Sequence, residues 1–147
     1  MRILLAIDSS DSSEAAADAV IAQADPATSE VHVLHVVNFP TNMIPEAAIY
    51  SPPTGRGRAA ERKPAQALVD KVTLRLRTHS LQVSSSISWG DPRSQIIKKA
   101  VEWEADLIVI GSRGWKGLGR FLMGSVPEGV ALHAPCSVQI VRVRKAA

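Results

Sequence analysis

Ile3 to Ile7 and Leu107 to Ile110 are short, wholly apolar runs, and Val31 to Val37 is a third, β-branched run interrupted by His32 and His35. Runs of that length, rich in Ile and Val, read as strands, and a strand without polar alternation has to be covered on both faces. Leu107 to Ile110 is the most apolar of the three. Only helices packed on both sides of a sheet provide that cover, and the segments between the runs have the right length for them. The expectation is an α/β fold with a mainly parallel sheet.

The intervening helices carry end signals. Residues 9–14 read Ser-Ser-Asp-Ser-Ser-Glu, in which Asp11 and Glu14 have the spacing of a capping box. The Ala-rich 15–24 follows as a helix of small side chains that can lie close to a sheet, and Asp25-Pro26 stops it. A second helix is expected from about Ala59 to His79, with Leu68, Val72 and Leu76 on its inner face and Pro64 either in its first turns or breaking it. Leu81 to Trp89 alternates as a weaker, more exposed strand. Gly90 then turns the chain, Asp91 caps, and Pro92 takes the first position of a helix presenting Ile96, Ile97, Ala100 and Val101. Farther on, Ser125 and Glu128 have capping-box spacing for a helix ending near His133, and Ser137 to Val143 gives a last strand. Residues 38–58 hold four prolines and two glycines and read as irregular. A loop of about twenty residues in a compact domain means a lid, a disordered segment or a missed element, such as a short helix around Glu46–Tyr50.

Length and charge bound the function classes. The 147 residues suffice for one domain, residues 1–147, with its own core. A net charge of +3 is too small to call for nucleic acid or an anionic membrane as partner. Cys136 is the only cysteine, which excludes an intrachain disulfide and suits a reducing, cytoplasmic compartment. The apolar run near the start, five residues long, is short for a signal peptide, and no run approaches membrane-spanning length.

The segment after Ile110 carries the functional signal. Glycines at 111, 114 and 124 let a backbone approach a ligand and aim its N–H groups at it, and the helix start at Gly124-Ser125 adds unpaired donors and a positive dipole end. In parallel sheets ligands sit outside the carboxyl ends of the strands, where strand order reverses. Asp8 and Gly111 each follow a strand end directly, and face one another across that crevice if the first and fourth strands are neighbours. Two better-known signatures are excluded. The first strand is followed by Asp-Ser-Ser-Asp, with no glycine for a dinucleotide fingerprint. Gly114 to Phe121 approximates a Walker loop, but Arg120 stands in place of the lysine and Phe121 in place of the metal-binding hydroxyl.

The pattern present is Gly111, two residues, Gly114, nine residues, then Gly124-Ser125. In this the chain resembles the universal stress protein family, in its nucleotide-binding branch, whose motif is Gly-x2-Gly-x9-Gly-Ser/Thr. The resemblance runs the whole length. It includes Ile-Leu-Leu-Ala-Ile-Asp at 3–8, His35-Val36-Val37, Gly90-Asp91-Pro92, Asp106-Leu-Ile-Val-Ile-Gly, and Ala134-Pro135-Cys136-Ser-Val. It implies a five-stranded parallel sheet in order 3-2-1-4-5, of adenine nucleotide alpha hydrolase-like type, and a homodimer joined through the last strand (138–143). It implies ATP or a related adenine nucleotide as ligand, with Mg2+ or Mn2+ carried by the phosphates rather than by protein ligands, and a role as stress sensor or regulator. By the same resemblance, Asp8 and the backbone near Ala6 contact ribose or adenine, and Val36 receives the adenine through its backbone. Ile110 and Gly111 line the sugar side, and Ser112 and Arg113 join the nucleotide-binding set. Gly114, Gly124, Ser125 and Val126 hold the phosphates. Two departures stand out: Ala6 replaces a proline frequent two before the aspartate, and Pro127 removes one N–H donor from the phosphate segment.

Plainer readings stand beside these. Asp8 could simply tie the first loop, and Ser125 could be an N-cap to its own helix. Arg113, Lys116 and Arg120 are either solvated charges or phosphate contacts, and Trp115 either a loop anchor or a ligand contact. Arg56, Arg58, Arg62 and Lys63 read as a solvated face that reaches phosphate only as part of a lid. His32 and His35 lie on opposite faces of one strand and cannot share a metal. His79 and His133 suit helix ends, and Cys136 packing. No residue is placed as catalytic base. The rival functions are a dimeric interaction module with a vestigial pocket and, less favoured, a slow ATP hydrolase using Asp8.

Overall fold

The computed structural model describes residues 1–38, 56–113 and 123–143, the second segment with side chains from residue 62 onward. The elements run β1 (Arg2–Ile7), α1 (Asp11–Gln23), β2 (Glu30–Val37), α2 (Arg56–Thr78), β3 (Gln82–Trp89), α3 (Pro92–Glu102), β4 (Leu107–Gly111), α4 (Ser125–His133) and β5 (Ser137–Val141). The strands form one five-stranded sheet in the order β3-β2-β1-β4-β5, every neighbouring pair parallel. Fold class and strand order are those expected.

The apolar runs are covered on both faces. Ile3, Leu5 and Ile7 of β1 point one way with Val31, Val33 and Val109, onto Ala16, Ala17 and Val20 of α1 and Val69, Val72 and Leu76 of α2. Leu4 and Ala6 point the other way with Leu34, Ile108 and Ile110, onto Ile96 and Ala100 of α3 and Val130 of α4. Leu4, Leu5 and Ile108 have no exposed surface, and each such side chain contributes roughly 1.5–3 kcal/mol by leaving water. The alanines of α1 let that helix sit close over β1 and β4, which matters at the crevice.

Several local expectations are corrected. Helix α1 is capped by Ser10, whose hydroxyl accepts from Ser13 N at 3.2 Å, so Asp11 and Glu14 form no capping box. Glu14 faces α2 instead and pairs with Arg75 at 3.0 Å. Helix α2 starts at Arg56, inside the stretch read as irregular, and continues through Pro64. Pro64 is exposed and lacks the N–H that would close the bond four residues back. Its inner row is Ala65, Val69, Val72 and Leu76, with Leu68 at the rim. Strict fourfold spacing drifts round a helix of 3.6 residues per turn, and Val69 takes the place that Leu68 leaves. Val101 of α3 is 59% exposed rather than inward. Strand β5 ends at Val141, two residues early. The helix expected around Glu46–Tyr50 lies outside the described residues.

Candidate functional site

From β1 the chain moves outward through β2 to β3 on one side, and from β4 to β5 on the other. The connections leaving β1 and β4 therefore diverge, and a crevice opens at the carboxyl ends of these two strands. Register places Ala6 opposite Ile110 across it and Ile7 opposite His35. Asp8, Val36, Gly111, Ser112 and Arg113 thus surround one rim. The side chains of Ala6 and Ile110 are buried, 6% and 7% exposed, so these two residues offer the crevice backbone only. Val36 is half-buried and packs its side chain against the α3 and α4 side of the core.

The serine run after β1 builds the rim. Ser10 and Ser12 hydroxyls donate to the Arg113 carbonyl at 3.1 and 2.5 Å, and Arg113 N donates back to Ser12 Oγ at 3.2 Å. The start of α1 therefore grips the exit of β4. Gly111 makes the grip possible. A Cβ there would lie 2.5 Å from Ser12 Oγ and 2.7 and 2.8 Å from its backbone C and O. The space a side chain would fill at Gly111 is taken by helix α1. The hydroxyls at 10 and 12 exceed what one cap needs, and that surplus was the overlooked signal for this clamp.

Asp8 is half-exposed and tied at both ends: its N–H donates to Ser13 Oγ at 2.9 Å, and its Oδ1 accepts from Ser10 N at 2.8 Å. The loop-tying reading of Asp8 is thus present. Among the described residues Oδ2 takes no hydrogen bond, which leaves one carboxylate oxygen for a ligand hydroxyl. Beside it, the His35 ring bonds the Ile7 carbonyl through Nδ1 at 2.9 Å, which requires the proton on that nitrogen.

The far rim is the start of α4. Gly124 N donates to the Ser112 carbonyl at 2.9 Å, and Ser112 N donates to the Val141 carbonyl at 2.8 Å. The excursion between residues 113 and 123 is thereby closed at its base. Gly124 is the N-cap and no side chain caps the helix, so Ser125 and Glu128 form no capping box, contrary to expectation. Ser125 sits at the first helical position, exposed, its hydroxyl unspent on the helix. The N–H groups of Ser125 and Val126 precede the first intrahelical bond and make no other among the described residues. Pro127, buried, has no N–H to add. Gly114, Trp115, Lys116 and Arg120 lie outside the described residues.

Three titratable groups outside the crevice, His32, Asp91 and Cys136, have shifted pKa values. His32 is buried, with Nδ1 and Nε2 each 2.7 Å from the hydroxyls of Ser84 and Ser86, and its ring 5.5 Å from that of Trp103. Burial, with Lys99 nearby, pulls its pKa down to about 4, so the ring is neutral. Asp91 caps α3, accepting from Ser94 N at 3.0 Å and Ser94 Oγ at 2.7 Å, and those bonds hold its carboxyl below the usual range. Burial, then Asp106, push the Cys136 thiol up, away from thiolate chemistry. Among the described residues no three His, Cys, Asp or Glu side chains are grouped to hold a metal. No helix among them is long and apolar enough to cross a membrane. The crevice can hold a hydroxyl at Asp8 and an anion at α4.

Fold and crevice together define a doubly wound α/β protein with its open switch point between β1 and β4. The chain belongs to the universal stress protein family, whose model matches residues 1–142. It is 30% identical over 145 residues to the universal stress protein YxiE of Bacillus subtilis, covering 96% of this chain and 98% of that one. A universal stress protein of Staphylococcus aureus is 44% identical over 64 residues, 43% of this chain and 39% of its own. The structure of UspA from Lactobacillus plantarum superposes with a TM-score of 0.83 at 29% identity, covering 97% of each chain. Three more distant structures share the fold. They are a universal stress protein in complex with cAMP (TM-score 0.68, 23% identity), one from Arabidopsis thaliana with AMP bound (0.71, 17%) and one from Archaeoglobus fulgidus with dAMP (0.66, 22%). Each of the three covers more than 90% of both chains.

Proposed function

We propose that this protein binds an adenine nucleotide, ATP foremost, and acts as a sensor or regulator in a stress response. The observation that carries the reading is the uncapped first turn of α4. Ser125 and Val126 N–H groups, at a positive dipole end, stand across the switch point from an Asp8 oxygen without a partner. A phosphate meets the first and a ribose hydroxyl suits the second. Val36 supplies backbone for the base, and Ala6, Ile110, Gly111, Ser112, Arg113, Gly114 and Gly124 complete the surround. Family members of the same fold captured with AMP, dAMP and cAMP support the ligand class. Mg2+ or Mn2+ arrives on the phosphates, whose oxygens are hard ligands for it. The proposed setting is the cytoplasm, with nucleic acid and membrane no part of the reading. Isothermal titration of metal-free and Mg2+-loaded protein with ATP should show one site per chain. No heat of binding at millimolar nucleotide would refute the proposal.

A second reading, a dimeric interaction module with a vestigial pocket, has support in Pro127 and in β5. Among the described residues that strand pairs with β4 alone, and it carries half-buried Val138 and Ile140, an edge suited to a second copy. Dimerisation is compatible with both readings. Sedimentation of the titrated sample should give a dimer that charged substitutions at Val138 and Ile140 convert to monomer.

A further inference from the structure

Gly129 marks a feature that the crevice reading leaves unexplained. It is buried on α4, and a Cβ there would overlap Arg93 Cδ and lie 3.1 Å from Arg93 Cγ and 3.3 Å from Nη1. The exposed Arg93 side chain, from the first turn of α3, lies across Gly129, and a Cβ at that position would push it aside. Gly129 is four residues after Ser125, so the two share a helix face with their Cβ positions about 5–6 Å apart. The guanidinium therefore rests one turn from the uncapped start of α4.

It is poorly placed for a structural cation. A positive charge in the first turn of α3 opposes that helix dipole, and α4 turns its own positive end the same way. Arg93 forms no ion pair among the described residues, including with exposed Glu128 next to Gly129. Asp91 feels its charge, but that carboxylate is engaged by Ser94.

We infer that Arg93, lying across Gly129, is a phosphate-recognition residue that makes this site favour nucleotides with more phosphates. The inference rests on the nucleotide reading above. A bound triphosphate at the α4 start brings the anion that Arg93 lacks, and the guanidinium can pair with phosphate oxygens in its planar, two-pronged fashion.

The test is titration with ATP, AMP and adenosine at one low ionic strength. Arg93→Ala should weaken ATP about tenfold, the scale of one charge-assisted hydrogen bond, and adenosine less than about twofold. Arg93→Lys, which keeps the charge but not the two-pronged geometry, should recover only part of the ATP affinity. Gly129→Ala, which evicts the side chain without removing it, should also weaken ATP selectively, and the double variant should be no worse than Arg93→Ala. Unchanged ATP binding in Arg93→Ala overturns the inference, as does an equal loss for ATP and adenosine. Wild-type protein that binds no adenine nucleotide refutes the underlying reading, and the inference falls with it.

Discussion

Gly111 and Gly124 belong to one motif, but the structure gives them different work, and Gly111→Ala separates the two. At Gly111 the added methyl meets Ser12 at 2.5 Å from Oγ, 2.7 Å from the backbone carbon and 2.8 Å from the carbonyl oxygen. Backbone cannot swing aside as a flexible side chain would. Helix α1 has to move, and moving it stretches the Ser10 and Ser12 bonds to Arg113. Overpacking of this kind costs typically about 1–3 kcal/mol, and each strained hydrogen bond adds about 1 kcal/mol. We expect a loss of about 3–6 kcal/mol, which for a domain of this size lowers Tm by about 6–24 °C. At Gly124 a Cβ would lie 3.4 Å from Pro127 Cδ and 3.5 Å from the Ser112 carbonyl, on backbone angles of −62° and 155° open to any residue. Gly124→Ala should therefore change stability by less than about 0.5 kcal/mol. Urea and thermal unfolding of both variants, followed by circular dichroism, make the comparison. A Gly111→Ala protein as stable as wild type, or a Gly124→Ala protein that loses as much, would show that the close approach of α1 does not set the requirement.

Two further outcomes follow from the caps and from the buried histidine. Ser10→Ala should lose about 1 kcal/mol, since it removes an N-cap, whereas Ser125→Ala should leave the denaturant midpoint unchanged because no side chain caps α4. A matching loss in both would contradict the cap assignment. The His32 pKa falls from 6.5 unfolded to about 4 folded, so the unfolded chain takes up the proton first as pH drops. That stabilisation is complete above pH 6.5, is lost between 6.5 and about 4, and changes no further below; at about 1.4 kcal/mol per unit it amounts to about 3 kcal/mol. His32→Phe should flatten the pH dependence of unfolding in that window, and an identical slope in both proteins would refute the assignment.

Strands β1 and β4 were legible because a doubly covered strand writes itself as an apolar run, β2 because its β-branched residues outweigh His32 and His35, and β3 by alternation. Their order was legible through resemblance, and the cap of α3 through Asp91-Pro92. The caps of α1 and α4 were misread for one reason. Ser, Asp and Glu at capping spacing occur in overlapping registers at 9–14, and only the path of the backbone into the helix selects Ser10. At α4 the selected residue was Gly124, and no side-chain pattern reveals a cap made by backbone alone. Val69 displaced Leu68 because the inner row of α2 is chosen by where the sheet lies, and the helical wheel leaves that open by a fraction of a turn.

From its sequence alone this protein was committed to a parallel α/β domain, and its glycine register marked the segment after β4 as the one on which the proposed nucleotide site rests. Which contacts those glycines serve was a tertiary decision. Gly111 answers to Ser12, a residue 99 positions earlier in the chain. Gly129, outside the motif, answers to Arg93 on the neighbouring helix. Periodicity is a local quantity and can be read along the chain, but close approach is a property of two segments at once. It takes its value only after the sheet has brought the carboxyl ends of β1 and β4 together.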